Sequence, residues 1–99
     1  YHKVIHRYLQ KIIEATRPSY PGEQFLPLVD TSPMVDRWLA YAAGLGFFGR
    51  NHCLIHPTYG SFVTIGSILT TLSLTPDEPL TLHCGSCREC LIRCPGRAI

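Results

Sequence analysis

The chain has 99 residues, 45% of them apolar, and a formal charge of +2 from nine basic and seven acidic side chains. That apolar share excludes a disordered tail, and the length allows one small domain with a modest core. Lys and Arg are scattered rather than clustered, so charge alone neither argues for nor excludes a nucleic-acid partner. The longest weakly polar run, residues 60–74, is interrupted by Ser and Thr and is too short to cross a bilayer. No charged segment followed by an apolar one stands at Tyr1-His2-Lys3, so neither a leader nor a membrane role is expected. The first residue is Tyr, inside a helical pattern, and the last lies just past a cysteine motif. Both ends read as cuts through a longer parent protein.

In residues 1–16, Val4, Ile5, Tyr8, Leu9, Ile12 and Ile13 fall on one face of a helix, with His2, Lys3, Arg7, Lys11 and Glu14 on the wet side. Two prolines and a glycine in residues 17–22 end it as a loop. Phe25-Leu26-Pro27-Leu28-Val29 predicts a short strand, irregular at Pro27, with Asp30 at its end. Ser32-Pro33 predicts an N-cap and first helical residue, for a helix running to about Ala43 and stopping at Gly44. Residues 44–51, GLGFFGRN, predict a glycine-rich turn. Cys53–Ile55 and Ser61–Ile65 are β-prone and joined by HPTYG in the manner of a hairpin. Residues 66–74 fit either a strand or a helix, and residues 75–79 read as a linker. His52 and His56, on strand or loop, do not make a metal pair despite their spacing. Helix, strand, helix, strands and a cysteine loop predict an α+β or α/β-like domain leading into a second module near residue 80.

Cys84, Cys87, Cys90 and Cys94 are spaced C-x2-C-x2-C-x3-C and followed by Pro95. A secreted disulfide framework spreads its cysteines to staple distant segments, whereas crowding them favours a metal site in a reducing compartment, most simply the cytoplasm. In ferredoxin runs of this spacing three cysteines hold one [4Fe-4S] cluster and the fourth ligates its neighbour. Cys84, Cys87 and Cys90 would thus serve one cluster and Cys94 a second, the remaining ligands coming from a motif this chain lacks. The rival is a zinc site, with His83 as a nitrogen donor, although zinc knuckles more often use two C-x2-C pairs further apart. Cys53 stands alone and reads as a small core residue.

The segments FLPLVDTSPMVDRWLAYAAGLGFFGRN, CLIHPTYGSFVTIGSILTTLSLTPDEP and HCGSCRECLIRCPGRAI together resemble epoxyqueuosine reductase in order and spacing, and YHKVIHRYL extends the likeness to the start. This family uses cobalamin and two [4Fe-4S] clusters to complete queuosine in tRNA. The resemblance implies that residues 1–79 are the C-terminal half of a cobalamin-binding domain like that of reductive dehalogenases. Residues 80–99 would begin a ferredoxin-like module. It implies that Asp30 is the proton donor, and that Gly46, Gly49, Arg50 and Asn51 approach cobalamin, with Leu54 and Ile65 candidates to line the corrin that could equally be core. Glycines permit close backbone approach, and Arg50 and Asn51 would suit the nucleotide tail or corrin amides. A carboxyl at a strand end can protonate the oxyanion left by epoxide reduction if burial raises its pKa; the bland alternative is a helix-cap aspartate.

The implied partners are the tRNA anticodon loop, read through splayed bases, and an external electron donor, with the parent a monomer in the cytoplasm. CPGRAI in place of CPTGAI, and Phe47-Phe48 where an aromatic and a smaller residue are common, depart from the family pattern without removing a ligand. Two other readings stay open: a reductive dehalogenase-like enzyme acting on small organohalides, and an electron-transfer module with no catalysis of its own. The TSP and GLG segments favour the tRNA enzyme.

Overall fold

The computed structural model describes residues 1–30 and 33–99; Thr31 and Ser32, the latter an expected N-cap, lie outside them. The elements are α1 (His2–Thr16), a 3-10 turn (Arg17–Ser19), β1 (Phe25–Leu28), α2 (Asp36–Ala42), β2 (Phe47–Phe48), β3 (Leu54–Ile55), β4 (Ser67–Thr70) and α3 (Glu89–Arg93). This is a small α+β arrangement, divided into two units. One comprises residues 1–36 and 64–75, the other residues 37–63 and 76–99. The division differs from a single cut at residue 79/80, because the cysteine segment clusters with the hairpin of residues 47–55.

In the first unit α1 buries Leu9 and Ile13, the inner half of its apolar face, while Val4, Tyr8 and Ile12 stay exposed. β1 pairs antiparallel with β4, Phe25 opposite Thr70 and Leu28 opposite Ser67. Pro27, which has no N–H to give, is tolerated opposite Ile68 because, among the described residues, β1 pairs on one side alone. Thr71 closes the far end: its hydroxyl accepts from the Gln24 N–H at 2.9 Å and donates to the Glu23 carboxylate. Gly66 lies against α1; a Cβ there would come within 3.0 Å of Ile5 and 3.1 Å of Leu9. The segment left open between strand and helix is therefore a strand, β4.

In the second unit α2 ends as expected at Gly44, which takes φ +75°. Its N–H bonds Tyr41 O at 3.0 Å and Leu45 N–H bonds Ala40 O at 3.0 Å, the pairing of a glycine-terminated helix. The helix starts later than Pro33, at Asp36, whose carboxylate suits the first turn.

The hairpin also differs from expectation. β2 pairs with β3, Phe47 opposite Ile55, so the β-strand lies inside the GLGFFGRN segment and the turn is residues 49–53. Residues 61–65 form no strand, and Phe62 is fully exposed. The periodic pattern favoured the β-branched run, yet the ladder formed where two phenylalanines could face Leu54 and Ile55. HPTYG closes on itself instead, through paired His56 and Gly60 bonds of 2.9 Å. His56 Nδ1 accepts from Thr58 N–H at 3.0 Å and its ring stacks on Tyr59, which makes it a turn histidine.

Candidate functional site

Asp30 stands where expected, at the end of β1, and its backbone takes φ +53°, a left-handed conformation that aspartate tolerates better than most residues. Its Oδ2 lies 3.0 Å from His2 Nε2, with the two side chains 42% and 54% exposed. Asp30 is exposed within this unit. His2 was assigned only to a wet helix face. Nothing in its spacing, 28 residues from Asp30, signals the pairing. Beside them is an open cavity of about 670 Å³, lined by His2, Lys3 and His6 of α1 and by Pro27, Leu28 and Val29 of the strand edge. Its wall is mostly apolar strand on one side and basic or imidazole groups on the other. Ile65, half-buried, belongs to the same unit.

The other unit holds the glycine segment and the cysteines. Gly46 and Gly49 are buried, and the space at each is taken by the hairpin itself. A Cβ on Gly46 would meet Ile55 O at 2.6 Å, and one on Gly49 would strike the Ile55 side chain and come within 2.8 Å of Asn51 Oδ1. Asn51 Oδ1 accepts from Cys53 N–H at 3.1 Å, building the turn. Arg50 Nη2 donates to Gly85 O at 2.7 Å. Leu54 is buried at 6% exposure. Of the residues expected at cobalamin, Gly46 and Gly49 thus pack closely against the hairpin, Arg50 and Asn51 make hydrogen bonds within the unit, and Leu54 is buried.

Cys84 and Cys87 lie on a turn closed by Cys87 N–H to Cys84 O at 3.1 Å, Cys90 lies in α3, and Cys94 just past its end. All four are free thiols, as is the exposed Cys53, which is not the core residue its β-prone context suggested. Among the described residues no three of His, Cys, Asp and Glu converge as a ready metal site. The donor chemistry nevertheless fits iron. Ala98 N–H points at Cys94 Sγ from 3.3 Å. That bond, opposed by desolvation and aided by the N–H groups of Gly96, Ile99 and Arg97, holds the Cys94 thiol below its ordinary pKa. Backbone donors around a sulfur favour the thiolate, the form that ligates metal.

No family model matches the chain. An epoxyqueuosine reductase of Gloeobacter violaceus is 43% identical over all 99 residues. The chain is similar to epoxyqueuosine reductases over all 99 of its residues. It spans about a third of these curated relatives, 31% of the Gloeobacter protein. Among solved structures, epoxyqueuosine reductase from Streptococcus thermophilus superposes with a TM-score of 0.90 at 34% identity, over 98% of this chain and 26% of that one. An epoxyqueuosine reductase bound to an epoxyqueuosine-modified tRNA-Tyr stem loop matches with a TM-score of 0.80 and 34% identity, over 94% and 26%. The Bacillus subtilis epoxyqueuosine reductase, at TM-score 0.87 and 31% identity over 99% and 26%, was captured with an aspartate's catalytic loop swung out of its active site.

Proposed function

We propose that the parent protein is an epoxyqueuosine reductase, converting epoxyqueuosine at the tRNA wobble position to queuosine. The observation that carries this is the unbroken match to reductases of that name, one of them solved with its modified stem loop. The net reaction consumes two electrons and two protons and releases the epoxide oxygen as water. Asp30 delivers the proton to the oxyanion as the carbon–oxygen bond opens, and the resulting carboxylate is stabilised by the His2 imidazole 3.0 Å away.

The electrons come from an external donor. Iron–sulfur clusters and cobalamin, when bound, supply one-electron relay and low-valent cobalt. Cys84, Cys87 and Cys90 are assigned to one [4Fe-4S] cluster and Cys94 to a second. Cobalamin, if held by residues 46–54, would meet backbone rather than the side chains already engaged there. The same reading gives residues 1–79 to a dehalogenase-like cobalamin domain and residues 80–99 to a ferredoxin-like one. It places the protein in the cytoplasm with its tRNA. No described helix is long and apolar enough to cross a membrane.

The test is anaerobic incubation of the reduced parent with tRNA carrying epoxyqueuosine, followed by mass spectrometry of the nucleosides. Loss of one oxygen in the wild type and its abolition in Asp30→Asn is the expected result. An unchanged nucleoside, with clusters intact and corrinoid bound, would refute the assignment.

A further inference from the structure

We infer that His2 is a positioning residue for Asp30, an inference that rests on reading Asp30 as the proton donor. Three observations carry it. Asp30 has a left-handed backbone at φ +53°, which even for aspartate is less favoured than extended or helical backbone and sets the direction of its side chain. The contact to its carboxyl comes from outside its own segment, as His2 Nε2 meets Oδ2 at 3.0 Å. His2 itself belongs to the first turn of a 15-residue helix and also lines the cavity beside β1, so it links the cavity wall to the carboxylate.

The chemistry follows from which oxygen is taken. With hydrogen on Nε2, His2 donates to Oδ2 and leaves Oδ1 to carry and release the proton. An acid held by one oxygen presents the other in a fixed direction, which is what proton transfer to a developing oxyanion requires. The Bacillus subtilis relative, whose aspartate loop was found swung out, shows that such a loop can occupy another position. A contact anchored on a helix biases that equilibrium toward the held position.

The experiment uses the parent enzyme with His2→Ala, His2→Gln and Asp30→Asn alongside the wild type in the oxygen-loss assay. His2→Ala is expected to lower kcat roughly tenfold with little change in KM, the loss of one hydrogen bond to a charged group. His2→Gln keeps an amide donor near the Nε2 position and is expected to recover most of that rate. Amide exchange at Val29 and Asp30 should rise in His2→Ala and not in His2→Gln. A His2→Ala enzyme at the wild-type rate overturns the inference. Equal slowing of the Ala and Gln variants also overturns it, because a positioning role is met by any suitable donor. An inert wild type, or an Asp30→Asn enzyme at full rate, instead refutes the underlying reading of the function, a result distinct from an active wild type beside an unaffected His2→Ala.

Discussion

Arg50 Nη2 donates to the carbonyl oxygen of Gly85 at 2.7 Å, tying the β2–β3 turn to the first turn of the cysteine segment. That cysteine turn is held at two more points. Gly85 N–H donates to His83 Nδ1 at 2.9 Å, and Cys87 N–H to Cys84 O at 3.1 Å. Gly85 takes φ +59°, which its missing Cβ permits. A basic residue expected at a cofactor's phosphate thus secures the loop that carries two of the thiols.

Arg50→Ala should therefore loosen the loop and lower the iron retained by the parent after anaerobic purification. The lost bond is exposed and worth about 1 kcal/mol, so a several-fold weaker retention is expected, with Arg50→Lys intermediate. Iron content per chain is the measurement. Wild-type iron in Arg50→Ala would deny the link any part in holding the cluster loop.

Gly44 and Gly96 make opposite forecasts. Gly44 has φ +75°, and a Cβ there would lie 2.5 Å from Glu78 O, a backbone atom that cannot swing away. Gly44→Ala should cost on the order of 2 kcal/mol or more, read as a fall in thermal midpoint. Gly96 has open space where a Cβ would go, so Gly96→Ala should leave the midpoint nearly unchanged.

Leu54 separates packing from cofactor contact. It is buried, and its Cγ lies 3.0 Å from where a Cβ on Gly46 would stand. Leu54→Ala should destabilise the parent by roughly 2–4 kcal/mol through lost transfer energy and a cavity. Corrinoid affinity measured well below the melting range should change little. A large loss of corrinoid binding at unchanged stability would restore Leu54 to the cofactor site.

Cys94 carries the pH dependence. Its thiol is held low chiefly by the Ala98 N–H, so in metal-free protein its alkylation should reach half-maximal rate at lower pH than in the urea-unfolded chain. The sign for stability follows. A depressed folded-state pKa contributes stability that is fully present above the unfolded value and is lost as pH falls through the folded one. Ala98→Pro deletes the donor and should move the alkylation profile back toward the unfolded one.

The legible parts of this chain were those with local causes. The apolar stripe marked α1, the FLPL run marked β1, and Gly44 marked the end of α2, because each depends on side chains a few residues apart. The β2–β3 ladder was missed because Phe47 and Phe48 sit between glycines, and pairing with Leu54 and Ile55 outweighed their turn-like setting. The His2–Asp30 contact and the Arg50–Gly85 bond join residues 28 and 35 positions apart, and no spacing rule reaches that far. The cysteine motif was legible as chemistry, since its spacing is a property of the ligand set.

The most direct test of the central claim is made in cells. A bacterial strain lacking its own reductase accumulates epoxyqueuosine in its tRNA, and the parent protein would be expressed there with cobalamin supplied. Mass spectrometry of the tRNA nucleosides should then show queuosine in place of epoxyqueuosine, and should not show it when the Asp30→Asn variant is expressed. Persistent epoxyqueuosine beside soluble, cluster-loaded wild-type protein would contradict the account.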